Sequence, residues 1–238
     1  MKLKASSRHL IVNADDFGLS SGVNRGIAEA RERGILTSAS LMVRAAGARE
    51  AAEYAWQHSA FSVGLHFDLG EWRFAGGEWV QHYEIVDSNN ADAVRVELDR
   101  QLAAFMKLLD RPPTHLDSHQ HIHLAEPARS IVIAAANELR VPVRNCTPQI
   151  TYCGAFYGQT DEGEPQPQGI SVDQLIRMIE RLPFGWTEVG THPGYSAALD
   201  SVYASEREVE LRVLCSPAVQ AAVAKTGVQL CSYHDLRL

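Results

Sequence analysis

At 238 residues, 45% of them hydrophobic and 21% charged, the chain has the composition of a soluble globular protein and the length for one large domain or two small ones. A formal charge of −7 excludes a nucleic-acid phosphate backbone as the main partner and makes an anionic membrane surface a poor one, since both need clustered Lys and Arg. No run approaches a membrane span, and Leu10–Val12 is too short for the apolar part of a secretory signal, so the cytoplasm is the expected location.

Leu10–Ala14 is a short apolar, β-branched run and reads as the first strand. Ser20 and Ser21 can cap a helix with Val23, Ile27 and Ala30 on one face and Gly34 as its stop. Ile35–Val43 is the second strand, Gly47–His58 an Ala-rich helix and Phe61–Leu69 the third strand. Gly70 to Asn90 is polar, contains Trp and Gly, and shows no clear period. A helix over Asp92–Leu109 places Val94, Leu98, Leu102, Phe105 and Leu109 together, and Pro112-Pro113 ends it. Thr114–Ser118 is the fourth strand, Glu126–Arg140 a helix and Val141–Asn145 the fifth strand. Thr151–Gly169 reads as an irregular loop long enough for a lid. Helix Val172–Leu182, strand Glu188–Thr191 and helix Glu206–Leu214 follow; Ser216-Pro217 opens another helix, and Val228–Tyr233 is the last strand. Cys146, Cys153, Cys215 and Cys231 form no C-x-x-C pair and read as separate thiols.

About seven strands interleaved with helices, with no repeat or linker, describe one α/β domain over residues 1–238. The expected fold is a parallel (β/α) barrel with outer helices, incomplete at about seven strands. A barrel is favoured over an open sheet because polar clusters stand at the ends of several strands, where barrel sites are built. These are Asn13–Gly18, Gly64–Asp68, His115–His123 and Thr191–Tyr195.

Adjacent carboxylates such as Asp15 and Asp16 repel each other, and a cation relieves this if one ligates while the other stays free as a base. A capping Asp beside a solvated one is the ordinary alternative. If the fourth strand continued, His115, Asp117, His119, His121 and His123 would share one face. So many imidazoles suit a metal better than a core, although the chain is expected to turn near Ser118–His121, so that not all of them ligate. A surface histidine tract is the bland reading. His66 gains meaning from Gly64, which permits close approach, and from Asp68 on the same face; His192 stands before a Pro-Gly turn.

Val12–Leu19, Gly64-Leu65-His66, Thr114–His123 and Glu188–Tyr195, in this order, closely resemble the YdjC-like carbohydrate deacetylases, a family that includes chitooligosaccharide and hopanoid-associated deacetylases. The resemblance spans nearly the whole chain, with Phe67-Asp68 and Gln120 departing from the common pattern. It implies an incomplete (β/α) barrel that removes N-acetyl groups from amino sugars with one divalent metal ion per chain, magnesium by resemblance. It also implies Asp16, His66 and His119 as metal ligands, Asp15 as general base and His192 as the late catalytic histidine.

The expected chemistry is amide hydrolysis, with His192 or one of His121 and His123 protonating the departing amine. His121, His123, Asp68 and Trp72 are the expected substrate contacts. Trp72, Phe74, Trp79 and Tyr83 could stack on a sugar or simply pack their segment, and the loop around Tyr157 could cover the site. On ligand chemistry, zinc or manganese suits two imidazoles and a carboxylate as well as magnesium does. The partner is an acetylated amino sugar, and a homodimer is the expected assembly. A metal phosphoesterase and a non-catalytic sugar-binding barrel are the competing functions. The first is disfavoured by one metal's worth of ligands and no basic cluster, the second by the presence of every candidate group.

Overall fold

The computed structural model describes residues 7–197 and 199–237. Its elements are β1 (Arg8–Phe17), α1 (Ser21–Arg33), β2 (Ser38–Leu41), α2 (Ala48–Gln57), β3 (Ser62–Phe67), β4 (Gly70–Ala75), β5 (Glu78–Glu84) and α3 (Ala91–Leu109). They continue with β6 (Leu116–Ser118), α4 (Ala128–Leu139), β7 (Ile150–Cys153), α5 (Val172–Glu180), β8 (Gly185–Thr191), α6 (Ala204–Leu214), α7 (Pro217–Thr226) and β9 (Gln229–Leu230).

Seven strands form one parallel sheet in the order β6-β3-β2-β1-β8-β7, with β9 also on β1. The sheet curls into a half-barrel whose two faces differ in chemistry. Strand side chains alternate, so Leu10, Val12 and Ala14 of β1, Ala39 and Leu41 of β2, and Val63, Leu65 and Phe67 of β3 point outward. There they join Val23, Ile27, Ala51, Leu98 and Phe105 of the helices in the main core. The intervening residues Asn13, Asp15, Ser38, Ser40, Ser62, Gly64 and His66 point inward, and the polar ones are buried. A small apolar cluster of Ile11, Ile150 and Tyr233 plugs the inner floor, below the polar layer. A one-residue slip of any strand would exchange the two faces, so the pattern fixes register.

Local signals account for the helices. Ser20 caps α1 by accepting from the Val23 N–H at 3.2 Å, Asn90 caps α3 from Ala93 at 3.1 Å, and Ser171 caps α5 from Gln174 at 3.2 Å. Each such cap stabilises its helix by about 1 kcal/mol. Val94, Leu98, Leu102, Phe105 and Leu109 are the buried face of α3, as their spacing requires.

Three expectations change. Residues 70–84 are not irregular but form the antiparallel hairpin β4–β5 around Gly76 and Gly77, both at positive φ. Its alternation was obscured because both faces carry charged as well as aromatic residues. The expected fifth strand, Val141–Asn145, makes only a single bridge from Val143 to Leu116, because the chain turns at once through Asn145 at φ 53°. The seventh strand position is taken by β7, at the start of the segment read as a loop.

Candidate active site

Strand β1 ends in a bulge that aims two successive side chains at one place. Between the pairs Ala14–Ala39 and Phe17–Leu41, β1 uses one more residue than β2. Asp16 absorbs it in the left-handed region at φ 62°, a conformation Asp tolerates better than most residues. Without the bulge Asp15 and Asp16 would point to opposite faces; with it both line the cavity above the half-barrel.

Asp16 Oδ1 stands 3.3 Å from His66 Nε2 of β3 and 3.2 Å from His119 Nδ1, just past β6. These three offer ligand atoms within 4.8 Å of one another. Asp16 Oδ1 is buried and has no hydrogen-bond partner among the described residues. Burial alone would push His66 and His119 down, but Asp117 raises His66 well above the usual imidazole range, and Asp16 with Glu71 raise His119 to about 9. The pocket therefore stabilises positive charge, and an orphaned carboxylate oxygen flanked by two imidazoles fits a divalent cation. His66 is oriented from behind, its Nδ1 2.8 Å from Asp117 Oδ1, the carboxylate–histidine arrangement common to metal ligands. His66 and Asp117 are register partners across β3 and β6, which is why they meet.

A second group, Asp15, His66 and Asp117, also clusters within ligand distance. Its cation is already present. The fully buried Arg144 donates to both oxygens of Asp15 at 2.6 Å, lies 2.9 Å from Asp117 Oδ2 and donates to Glu188 Oε1 at 2.7 Å. Burial would raise the Asp15 carboxyl, yet the Arg144 guanidinium outweighs it and holds Asp15 below the usual carboxylate range. Asp15 is thus ionised at neutral pH and fixed in orientation, with Asn13 Nδ2 adding a bond at 2.9 Å. Burial keeps Glu188 above its usual range despite Arg144.

His192, after β8, has its Nε2 3.8 Å from Asp15 Oδ2 and its Nδ1 3.7 Å from Glu210 Oε1 on α6. Its backbone N–H also donates to Glu210. Tyr203 donates to the same Glu210 and stacks on Tyr157, which meets His192 edge-on. From the opposite side of Asp16, Arg207 of α6 donates to Oδ2 at 2.5 Å.

The cavity over these groups measures about 910 Å³. Hairpin β4–β5 forms one wall, presenting Trp72, Trp79 and Tyr83. Glu71 ties that wall to the centre, 3.6 Å from His119 Nε2, and Arg73 ties it to the facing loop through the Asp200 side chain and carbonyl at 3.2 and 3.0 Å.

Asp15, Asp16, His66, His119, His121, His192 and Trp72 all line this cavity. His121 sits 3.3 Å from the Tyr152 hydroxyl, and burial with nearby Arg144 pushes it down to about 4. Two expected substrate contacts lie elsewhere. His123 is buried between Ser118 Oγ and the Arg144 carbonyl, because β6 stops at Ser118 and the chain turns through Gln120 and His121 at positive φ. Asp68 is turned away to accept from the Tyr83 hydroxyl and Gly70 N–H, anchoring the hairpin base. Gly64 does permit close approach, but of a side chain: a Cβ there would fall 2.4 Å from the His115 ring.

Sequence reasoning did not single out Arg144, Arg207, Glu71 or Glu210. Arg144 stands next to the end of a segment read as a strand, so its rim position was a usable signal. Arg207 and Glu210 sit inside an ordinary charged helix and carry none.

A family model described as YdjC-like protein matches residues 9–225. The chitooligosaccharide deacetylase of Serratia marcescens is 34% identical over 255 residues, covering 95% of this chain and 98% of that protein. The carbohydrate deacetylase of Geobacillus stearothermophilus is 34% identical over 249 residues, covering 96% and 98%. In fold, the chain is similar to a protein of Enterococcus faecalis V583 named for cellobiose-phosphate cleavage, with a TM-score of 0.77 at 24% identity over 98% of this chain and 100% of that one. It is also similar to the family 4 carbohydrate esterase of Streptomyces lividans, with a TM-score of 0.56 at 13% identity over 94% and 91%. The order of motifs along β1, β3, β6 and β8, the site they build, and a match running from residue 9 to residue 225 agree: this chain belongs to the YdjC-like protein family.

Proposed function

We propose that this protein is a metal-dependent carbohydrate N-deacetylase that hydrolyses the acetamide of an amino sugar or its short oligomer. The observation that carries the reading is the pairing of two differently treated aspartates. Asp15 is clamped and ionised by Arg144, while Asp16 presents a free oxygen between His66 and His119. The names of the relatives, deacetylases of chitooligosaccharide and of carbohydrate, support the same reaction and substrate class.

In this reading Asp16, His66 and His119 hold one divalent ion, which when bound supplies carbonyl polarisation and a more acidic water. Asp15 takes the proton of the attacking water, and Arg144 keeps its carboxylate aimed at that water. The water oxygen bonds to the acetyl carbon and the C–N bond breaks. His192, steadied by Glu210, delivers a proton to the departing nitrogen, so that acetate and a free amine leave. Trp72 and Trp79 supply aromatic faces for a sugar ring. Two imidazoles and one carboxylate suit zinc, manganese, cobalt or iron as readily as magnesium, which favours oxygen ligands. A two-metal phosphoesterase is disfavoured, because Arg144 occupies the only other ligand cluster found among the described residues.

The test is acetate release from N-acetylglucosamine oligomers by metal-stripped protein as single metals are restored. Release with a particular metal supports the reading. No release with any metal, alongside hydrolysis of p-nitrophenyl phosphate, replaces it with phosphoesterase activity.

A further inference from the structure

Arg207 is an unusual group to find where it is. Its side chain is only 4% exposed, yet it makes a single side-chain hydrogen bond, from Nη2 to Asp16 Oδ2. Nε and Nη1 are buried and without a partner among the described residues. Leaving charged donors idle in a buried site costs more than leaving neutral ones idle. The arrangement also works against the cation beside it. A guanidinium on one oxygen of Asp16 withdraws charge from the other, the one that faces His66 and His119. A residue whose sole duty was to orient Asp16 would do so with a neutral donor at less expense to metal affinity. The idle donors belong to a residue that lines the cavity together with Asp15, Asp16 and His192.

The two sides of one carboxylate set the spacing. Oδ1 faces His66 and His119, which with it would hold the ion, and Oδ2 faces Arg207, so one carboxylate group lies between the guanidinium and that ligand cluster. Hydrolysis of an acetamide converts a neutral carbonyl oxygen into a negatively charged one and finally into a carboxylate. A planar fork with free N–H groups matches that product and its precursor. We propose that Arg207 is a catalytic residue that donates to the acetyl oxygen as it gains charge and then to the acetate produced. The inference rests on the deacetylase reading. It makes Arg207 a donor to the reacting group as well as a tether for Asp16, and it predicts that the site binds free acetate through this side chain. In a water-poor cavity, a preorganised donor to a developing oxyanion is worth roughly 10²–10³-fold in rate.

The experiment compares wild-type protein with Arg207→Lys and Arg207→Gln in three measurements. These are metal content after dialysis, acetate affinity of the metal-loaded protein by calorimetry, and kcat and KM on N-acetylglucosamine oligomers. The expected result is that Arg207→Lys keeps its metal, weakens acetate at least about tenfold and lowers kcat by roughly 10²-fold with little change in KM. Acetate affinity per loaded site equal to wild-type in both variants would overturn the proposal and leave Arg207 as a tether. If the variants do not fold, wild-type protein carrying ¹⁵N-labelled arginine is titrated with acetate. A shift of one buried arginine Nε resonance supports the contact, and no shift in any of them overturns it. A wild-type enzyme that binds acetate but releases none from any acetylated sugar would count against the deacetylase reading and not against the acetate contact.

Discussion

Arg144 grips both oxygens of Asp15 at 2.6 Å while its Nε reaches Glu188 at 2.7 Å, so the fork aimed at the candidate base is itself held from behind. Asp15→Asn removes the proton acceptor but leaves Asp16, His66 and His119 untouched. It is expected to abolish most turnover, by at least about 10²-fold, with metal content unchanged from wild-type. Loss of metal in proportion to activity would sink the assignment of Asp15 as base.

Replacing Arg144 should be far more damaging to the fold than replacing Asp15. Arg144→Met would strand three buried carboxylates, Asp15, Asp117 and Glu188, around an apolar side chain. Breaking a buried ion pair from one side costs about 3–5 kcal/mol. Urea unfolding at pH 7.5 should show a loss of at least that size; a stability within 1 kcal/mol of wild-type would mean the carboxylates rearrange or protonate at little cost.

Asp117→Asn tests the support behind His66. The amide can still contact Nδ1 but no longer carries the charge that raises the basicity of the imidazole. Metal affinity is expected to fall about 10- to 100-fold, and adding excess metal should restore part of the lost activity. A metal titration that superimposes on wild-type would remove Asp117 from the metal's surroundings.

His115 should shape the acid stability of the protein. Burial pushes it down to about 3, while Asp117, Asp15, Arg144 and His66 face it and Tyr233 stacks on its ring. The unfolded chain therefore binds a proton near pH 6.5 that the folded protein refuses until about pH 3. The resulting stability is fully present above pH 6.5 and is lost as pH falls toward 3, by at most about 1.4 kcal/mol per pH unit. In His115→Gln the melting temperature should fall less steeply than in wild-type between pH 6.5 and 4. Parallel slopes would show that His115 titrates normally.

Trp72 and Trp79 both line the cavity from the hairpin, Trp79 being 56% exposed. Trp79→Ala is expected to raise KM for an acetylated oligomer about 3- to 10-fold, the worth of one aromatic contact, with kcat little altered. An unchanged KM would make these rings a scaffold for the hairpin.

What could be read from the chain before its fold was whatever depends on neighbours in sequence. The α3 stripe from Val94 to Leu109, the Ser20 cap and the polar rim at Asp15-Asp16 follow from local spacing. The hairpin escaped because Glu71, Arg73 and Gln81 interrupt its aromatic run, and each is spent on a contact elsewhere or on solvent. His123 lies outside the cavity because the turn expected near Ser118–His121 runs through left-handed backbone at Gln120 and His121, a course that the strand period does not set. The rim position of Arg144 was legible, but not its partner: Arg144 and Arg207 meet Asp15 and Asp16 across 129 and 191 positions, and no local pattern encodes such a pairing.

The first strand has partners on both edges, and they come from opposite ends of the chain. One edge of β1 takes β2 alongside Asn13 and Ala14 and β9 alongside His9 and Leu10, while β8 covers the other. On a ribosome, the strand that carries Asp15 and Asp16 emerges first and pairs with β2 early, then waits for β8 and β9. Arg144 and Arg207 arrive in that interval as well. A nascent chain therefore exposes one edge of β1 and two adjacent unneutralised aspartates until these later partners have been made. Long-range parallel pairing of this kind is slow. Until then, the like charge that Asp15 and Asp16 place at the end of that edge disfavours its pairing with the same edge of another chain.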